Sequence, residues 1–599
     1  MSTIADQSIF SAGVLIRRIL FFLFLISLSL LTLLGSFRGL STAKGMEQAQ
    51  IARELERGNG FTTKVIKPAA LRMAKDATKT ETALLLASSD TYHAPLHPVF
   101  LAAALKLVGG GEAEEWRMPE KESVYALDRI IAASSVICFL LAIGVNYLLI
   151  SRIFDTKLAG VTAVLMLLCD LNWRFSESGL PQMFMLLLFS CACLFAYRAV
   201  EATAEHRVAL APALLAGFFF ALLALTHWLA VWIVLGYALY AAFFLRPRGL
   251  VGLATLGFML ALSVWPILRN FQHTGTAAGT AFFALYEGLG MGEANVLRSY
   301  EGSESFLELR NLPLTILKNA FEQLNTLYVH LGSIVTAPLF FLALVHPFKR
   351  RSIASFRWCL LMMWVFATVG MALFAGGAEE VDANQLHILF APLFAAYGLA
   401  LVAILWSRLR FPAELPQLAQ AHFVLVVLLS AGPLLISIPR RIQASLSEEA
   451  QFPHWPPYYP GALNTRLSKM VHDREIVVSD QPWAVAWYAD RYSLWLPNKL
   501  DELEQLERIA ADQGTPIAGI LISPSSHGMQ SMHGVFRDYQ GFAPLVVDGW
   551  ASQAIRRPPG VLALEDDEMK SLLARFPFQV RLLQNLLVYW SAEQVYDGL

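Results

Sequence analysis

Two carboxylates of this chain lie where acid–base chemistry is plausible from their surroundings. Glu47 belongs to "STAKGMEQAQIARELERGNGFTT" (41–63), in which apolar residues recur on one side and charged residues fill the other. This pattern predicts an amphipathic helix over 45–57 that ends at a glycine turn. Glu47 is the only acid of its first turn. Its alternative role is to complement the helix N-terminus, a surface effect of about 0.3–1 kcal/mol.

Glu177 is the second acid with a notable position. It lies in "FSESG", at the predicted outer end of two short apolar segments. A carboxylate there is costly if it faces lipid, so we expect Glu177 to face a polar cavity, where it would contact an acceptor or a metal ion. A solvated loop acid is the alternative.

Cations and imidazoles that can bind a phosphate lie near the predicted outer ends of apolar segments. Arg269 in "PILRN" closes one segment, with snorkelling to lipid headgroups as its alternative. Arg298 and Lys318 follow it in the same outer region. His387 in "NQLHILFAP" and His227 in "LTHWLA" are either ligands or half-buried structural histidines.

A pair of tyrosines and a pair of histidines are further candidates, the first for sugar binding and the second for metal binding. Tyr458 and Tyr459 belong to "FPHWPPYYP", an aromatic, proline-stiffened loop that either stacks on a sugar or forms a rigid connection to a following domain. His93 and His97 have i, i+4 spacing, but two prolines break the helix that would align them, so we predict no metal site there. The five cysteines lie in apolar runs without metal-ligand spacing.

The elements that must position these residues are membrane helices. The chain has 599 residues, 56% of them hydrophobic and 16% charged, and its mean hydropathy is +0.50. This composition favours repeated membrane spans, and a net charge of −1 offers no basic surface for nucleic acid. Eleven apolar segments predict spans, at roughly 14–35, 124–150, 158–171, 181–197, 209–225, 228–245, 249–267, 332–346, 358–375, 386–406 and 422–438.

The distribution of basic residues predicts the orientation. Arg and Lys occur in alternate short loops, and the loops between them are nearly free of base. The positive-inside rule then places the N-terminus in the cytoplasm and residues 36–123, 268–331 and 439–599 outside. We expect a multi-span domain over 1–438, with amphipathic helices in its outer loop 36–123, and an extracytoplasmic α/β domain over 439–599. In the latter, "EIVVSD" and "IAGILIS" predict strands, and "PWAVAWYADR" and "LDELEQLERIAADQ" predict helices.

Four stretches in this order are similar to a known family: "GMEQAQIARELERGNGFTT", "HAPLHPVFLAAALKLVGG", "WRFSESGLPQMFMLLL" and "SDQPWAVAWYADRYSLWLP". Together with the order of spans and outer loops, they resemble the GT-C superfamily of membrane glycosyltransferases. The nearest branch contains bacterial protein O-mannosyltransferases and the aminoarabinose transferase of lipid A. The resemblance implies a mainly α, polytopic fold in the inner membrane and transfer of a sugar from a polyprenyl-phosphate carrier to an outer acceptor, which is a lipid, a glycan or a protein.

The resemblance also implies roles for particular residues. Inverting transfer needs a carboxylate base and cations that stabilise the phosphate; no metal is strictly required, although a divalent cation stays possible. The family's base is typically an Asp four residues before the Tyr of a D-x-x-x-Y-A-x-x-A-R pattern, and here Lys44 and Gln48 occupy those two positions. Either Glu47 acts as the base with Lys44 near the donor phosphate, or this member has lost catalysis.

Two other classes of function remain open from the sequence. A transporter or flippase for a lipid-linked substrate typically shows paired halves and Gly/Pro-broken spans, and neither is clear here. A catalytically inactive scaffold for envelope assembly is favoured by Lys44 and by the large outer domain.

Overall fold

The computed structural model describes residues 19–21, 23–78, 89–119, 124–290, 292–302, 312–374, 379–409, 416–446, 460–523, 532–547, 567–583 and 586–590. Tyr458 and Tyr459 lie outside the described residues. The fold is mainly α-helical, with long apolar helices followed by a smaller part that contains most of the β-structure. The chain is therefore a multi-pass membrane protein, as its composition predicts.

Fewer helices than the predicted eleven are long enough to cross a bilayer. Within the described residues, six helices meet this requirement by length and composition: Ala126–Ile153, Gln182–Ala204, Leu250–Thr274, Arg351–Phe374, His387–Trp406 and Leu418–Pro439. The predicted span 158–171 is instead a bent pair, Thr156–Leu167 and Asp170–Glu177, with 52° between its halves. Three predicted spans correspond to shorter apolar helices: Ile19–Gly35, Leu210–Thr226 and Ala230–Phe244.

The prediction of a span over 332–346 is wrong. This segment consists of turns and the four-residue helix Phe340–Ala343. It packs closely on the helix His387–Trp406, where a Cβ at Gly398 would lie 1.8 Å from the carbonyl oxygen of Thr336. Protein covers most of the segment, although Leu342 and Val345 are exposed, and the covered backbone can leave the helical conformation without exposing polar groups to lipid.

Shorter helices connect the apolar ones and build the region around Glu47. They are Ala43–Glu56, Pro68–Thr78, Leu96–Lys106, Ala284–Gly288, Glu293–Leu297, Leu312–Asn325 and Leu327–His330. The helix Ala43–Glu56, named the site helix below, confirms the helix predicted over 45–57. The expected exposure of its charged side is wrong, because every residue from Gly45 to Glu54 is buried. Other parts of the chain therefore cover both sides of this helix.

A six-stranded sheet explains part of that burial. Its order is β1-β3-β2-β4-β6-β5, formed by Val65–Ile66 (β1), Ile476–Ser479 (β2), Tyr492–Trp495 (β3), Ile517–Ile522 (β4), Phe578–Leu583 (β5) and Leu586–Trp590 (β6). The strands β1, β3, β2 and β4 pair in parallel, whereas β6 pairs antiparallel with both β4 and β5. β2, β4 and the helix Leu500–Asp512 confirm the sequence prediction. β1 was not predicted, and it joins the loop 36–123 to the C-terminal part.

Candidate active site

The site helix begins at a cap that fixes its position against another loop. The side chain of Thr42 accepts a hydrogen bond from the backbone N–H of Gly45 at 3.2 Å and donates one to the carbonyl oxygen of Ser178 at 2.8 Å. Gly45 permits this approach, since a Cβ there would lie 2.3 Å from the same oxygen. Glu47 is therefore in the second turn of the helix, too far along it to complement the N-terminus.

Glu47 lies at the centre of a buried polar cluster. Its Oε2 is 2.7 Å from Nζ of Lys67 and 3.5 Å from Nε2 of His93. The side chains of all three residues are less than a tenth exposed, at 6%, 8% and 5% respectively. Lys67 immediately precedes the helix Pro68–Thr78, and its Nζ lies 4.3 Å from the ring centre of Tyr92. The structure thus gives Glu47 a direct cationic partner.

The loop that carries His93 is organised by Asp90. The Asp90 carboxylate accepts hydrogen bonds from the backbone N–H groups of Tyr92 and His93, at 3.2 and 3.0 Å, and lies 2.9 Å from Nδ1 of His93. Trp228 holds the same loop, since its Nε1 donates to the carbonyl oxygen of Tyr92 at 3.1 Å. Burial opposes the charge on Asp90, but the adjacent His93 and Lys67 outweigh this and lower the pKa of Asp90 well below its usual range.

Lys44 is paired with another acid than Glu47. Its Nζ is 3.3 Å from Oε2 of Glu293 and 5.5 Å from the ring centre of Tyr92. Burial opposes the lysine charge, yet the nearby Glu293 outweighs it and raises the pKa of Lys44 well above its usual value. The pKa of the Tyr92 hydroxyl is also raised, by burial first and by Glu293 second. Lys44 therefore remains a fixed cation beside the Glu47 cluster.

A small cleft with a cavity volume of about 50 Å³ lies beside this cluster. Its polar lining comprises Glu47, Thr63, Lys67, Ser89, Asp90, Thr91, His273, Thr274 and Thr280. Residues from β1 and the helix Pro68–Thr78 supply an apolar part of the wall. The carboxylate, ammonium and hydroxyl groups that converge here can hydrogen-bond to a polar ligand at the mouth of the cleft.

Arg269 is buried close to this cleft. Its Nη2 lies 3.1 Å from Oδ1 of Asn270, while its Nε and Nη1 have no hydrogen-bond partner among the described residues. The guanidinium packs on the rings of Phe61 and Trp265, with 4.2 and 5.2 Å to the ring centres, and it interacts electrostatically with Asp90. A buried guanidinium with unused donors is suited to bind an anion.

Two other predicted residues lie next to the cluster. His227 is half-buried in the tight turn before Ala230–Phe244, where its Nδ1 accepts from the backbone N–H of Leu229 at 3.3 Å. Its electrostatic neighbours include Lys44 and His93. Glu177 ends the second half of the bent helix pair, one residue before Ser178, which contacts the cap of the site helix.

Three predicted ligands have other surroundings. Arg298 donates to the carbonyl oxygens of Leu496, Pro497 and Asp538, so its guanidinium joins the helix Glu293–Leu297 to the C-terminal part. Lys318 is exposed and lies 3.8 Å from Glu322 on its own helix. His387 is fully buried, and its Nδ1 accepts from Nε1 of Trp364 at 3.1 Å.

The sequence interpretation missed Lys67 and Asp90 and considered His93 only as a metal ligand. A signal was present for Asp90, since an Asp at the start of "DTYH" is typical of a turn in which the carboxylate binds backbone N–H groups. Nδ1 of His97 binds Oε1 of Gln48 at 2.6 Å. Across the described ranges there is no group of three or more His, Cys, Asp or Glu side chains that could hold a metal ion.

The far end of the site helix is attached to the sheet by a second buried network. Arg53 is fully buried, donates to the carbonyl oxygen of Trp487 at 2.8 Å and lies 4.0 Å from that ring's centre. Arg57 and Lys64 each approach the Asp490 carboxylate to 2.7 Å, and Arg53 approaches it to 3.5 Å. The site helix is therefore held at both ends, which fixes the direction of Glu47.

The comparisons with solved structures address the fold as a whole. The chain matches the crystal structure of ArnT from Cupriavidus metallidurans bound to undecaprenyl phosphate, with a TM-score of 0.51 and 14% identity over 97% of this chain and 99% of that one. This protein has the GT-C fold. The resemblance read from the four sequence stretches is thereby confirmed at the level of the fold.

A second GT-C structure also matches, the oligosaccharyltransferase from Archaeoglobus fulgidus tethered with an acceptor peptide, with a TM-score of 0.49 and 13% identity. The match covers 88% of this chain and 72% of that one. No protein-family model matches the sequence, and no curated protein matches it. The GT-C assignment therefore rests on the fold, and the chemistry has to be argued from the site itself.

Proposed function

We propose that this protein is a membrane glycosyltransferase that transfers a sugar from a polyprenyl-phosphate carrier to an acceptor on the extracytoplasmic side of the inner membrane. The observation that carries the proposal is the position of Glu47. It is a buried carboxylate, paired with Lys67, that lines a polar cleft in a GT-C fold. A buried carboxylate on the wall of a cleft can meet a ligand, which distinguishes Glu47 from the buried charges that only join helices and strands.

The residues around the cleft supply the groups that such a transfer requires. The acceptor hydroxyl attacks the anomeric carbon of the sugar, its proton passes to Glu47, and the bond between that carbon and the carrier phosphate breaks with its electron pair on the phosphate oxygen. The ammonium of Lys67, 2.7 Å from Oε2 of Glu47, fixes the carboxylate that takes the proton.

Arg269 is the proposed partner of the leaving phosphate. Its Nε and Nη1 lack hydrogen-bond partners in the described part of the chain, and it belongs to the last turns of an apolar helix. A carrier whose prenyl chain stays in lipid would present its phosphate at such a helix end. Lys44, already charged beside Glu293, adds positive potential on the side of the site helix.

The class of carrier is supported by the ArnT structure, which holds undecaprenyl phosphate. At 14% identity this likeness does not extend to the sugar or to the acceptor. The hydroxyl groups of Thr63, Ser89 and Thr91 line the cleft and can hydrogen-bond to a sugar. We therefore assign the sugar to this cleft and leave its identity to experiment.

The direct test is a transfer assay with the purified full chain in lipid nanodiscs. Labelled sugars on undecaprenyl phosphate are supplied as donors, and label is followed in lipid, glycan and protein fractions from the envelope. We expect one donor to transfer its label and undecaprenyl phosphate to compete with it. If no donor transfers label and undecaprenyl phosphate does not bind, the proposal is wrong.

A further inference from the structure

The hydrogen bonds of His93 define which of its nitrogens carries a proton at rest. Its Nδ1 lies 2.9 Å from the Asp90 carboxylate, which also accepts hydrogen bonds from the backbone N–H groups of Tyr92 and His93. An ionised carboxylate only accepts hydrogen bonds, so Nδ1 is the donor. The hydrogen bond on one ring nitrogen sets the protonation of the other, and a neutral His93 therefore presents Nε2 as an acceptor.

The second nitrogen faces Glu47 without a hydrogen bond. Nε2 is 3.5 Å from Oε2 of Glu47 and has no hydrogen-bond partner within the described residues. Both atoms are acceptors when the imidazole is neutral and the carboxylate is ionised, so nothing bridges them. A single proton placed between them would make an O–H···N or N–H···O bond at this site. The two acceptor atoms can therefore share one added proton.

We propose that His93, oriented by Asp90, takes from Glu47 the proton that Glu47 removes from the acceptor hydroxyl. The inference rests on the proposed function and assigns a positioning residue to it. In the transfer step the proton moves from the acceptor oxygen to Glu47 as the new glycosidic bond forms. It then moves from Glu47 to Nε2 of His93, and the resulting imidazolium lies between two carboxylates, Asp90 and Glu47. Loss of this proton to water in the cleft restores the starting state.

The other charged groups around His93 favour this direction of transfer. Lys67 cannot accept the proton, because a lysine ammonium has three donors and no acceptor. The remaining imidazoles near His93 are His97, whose Nδ1 is engaged by Gln48, and His227, whose Nδ1 is engaged by the backbone of Leu229. The titratable and charged groups that face His93 are Asp90, Glu47, Lys67, His97, His227 and, beyond His227, Lys44.

The proposal predicts a particular dependence on pH. Transfer requires the position between Nε2 and Glu47 to be free of a proton, so activity falls as the pH is lowered and that position fills. In His93→Gln no imidazole remains to take the proton from Glu47. We expect transfer to fall by about 10²-fold and the acid limb of the wild-type profile to be displaced.

Asp90→Asn tests the same proton relay by changing the partner of Nδ1 and keeping the imidazole of His93. The neutral amide replaces the anion beside Nδ1, so the imidazolium that forms on His93 loses one of its two carboxylate partners. We expect a loss similar to that of His93→Gln. Glu47→Gln combined with His93→Gln should be no less active than Glu47→Gln alone, since the two residues act in one step.

Three measurements separate the relay from a structural role. His97→Gln is the matched control, because it removes another buried imidazole, in the first turn of the following helix Leu96–Lys106. Undecaprenyl-phosphate binding and thermal unfolding report whether each variant is folded. A wild-type rate and pH profile in His93→Gln would overturn the inference while leaving the proposed function intact. So would a loss that is equal at every pH and multiplies with that of Glu47→Gln. A wild-type protein that transfers no sugar overturns the proposed function and this inference together.

Discussion

Glu47 and Lys67 form a buried ion pair, with 2.7 Å between Oε2 and Nζ. Glu47 belongs to the second turn of the site helix, and the carbonyl oxygen of Lys67 accepts hydrogen bonds from Ala70 and Leu71 at the start of the next helix. The pair therefore fixes two helices relative to each other and leaves one carboxylate on the wall of the cleft. Glu177, the other candidate base, ends a different helix and lies one residue before Ser178, whose carbonyl oxygen accepts from the Thr42 cap of the site helix.

Glu47→Gln should reduce sugar transfer by about 10²–10⁴-fold, the usual effect of losing a positioned general base. Glutamine keeps the size of the side chain and removes the basic oxygen. The measurement is the initial rate of label transfer from the active donor. Glu177→Gln provides the comparison, and a larger loss in that variant than in Glu47→Gln would move the base assignment to Glu177.

The control for Glu47→Gln must account for the lysine left without its partner. Removing one member of a buried ion pair costs about 3–5 kcal/mol in stability, whereas removing both is often close to neutral. Glu47→Gln with Lys67→Met should therefore unfold at a higher temperature than Glu47→Gln alone and remain inactive. Recovery of activity in the double variant would show that the single variant fails through instability.

Arg269→Ala should weaken use of the polyprenyl-phosphate donor more than it weakens acceptor binding. The loss of charge-assisted hydrogen bonds to a phosphate is worth about 1.5–3 kcal/mol, which is roughly 10–150-fold in affinity. Undecaprenyl-phosphate binding and the donor KM measure this effect. Arg269→Lys retains the charge and should be intermediate. Donor binding equal to that of wild type would identify Arg269 as an interfacial anchor.

Asp490→Asn should destabilise the contact between the site helix and the sheet. Asp490 is the shared partner of Arg53, Arg57 and Lys64, and in the variant only Glu54 remains as an anion beside Arg57 and Lys64. We expect the free energy of unfolding to fall by about 3–5 kcal/mol, measured by denaturation in detergent. Asp512→Asn, at the exposed end of the helix Leu500–Asp512, should change it by less than about 0.5 kcal/mol.

The same aspartate predicts how stability responds to acid. Burial opposes ionisation of Asp490, but the three cations outweigh it and lower its pKa well below the usual range. A carboxyl group with a lowered folded-state pKa contributes its full stability above its unfolded pKa of about 3.9, and loses it as the pH falls toward the folded-state value. The wild type should therefore lose more stability than Asp490→Asn between about pH 4 and pH 2.

The proposed orientation is tested by cysteine labelling from one side of the membrane. Residues 205 and 511 are exposed, and the native cysteines lie in the apolar helices or beside them. Glu205→Cys should react with an impermeant reagent from the cytoplasmic side and Ala511→Cys from the opposite side, as the positive-inside rule requires. Labelling of both positions from the same side would contradict this topology.

The amino-acid sequence determined the class of the protein and several of its elements. Hydropathy is a local property that adds up along a segment, so long apolar helices such as His387–Trp406 and the buried strands β2 and β4 could be predicted without knowing their neighbours. The site helix could be predicted for the same reason, and Glu47 was a candidate as the only acid in the first turn of that predicted helix. The irregular backbone of segment 332–346 could not be predicted, since an apolar run is equally compatible with a membrane span and with a covered, irregular backbone.

Only the tertiary structure decided which groups surround Glu47. Spacing along the chain favoured Lys44, three residues before it, but the cap at Thr42 sets the helix so that Lys44 meets Glu293 and Glu47 meets Lys67, twenty residues away. Packing likewise brought His93 to Glu47, Asp490 to Arg57, and the two-residue strand β1 to the sheet. Ion pairs and short strands depend on contacts between distant segments, and the residue pattern along the chain carries no periodic signal for them.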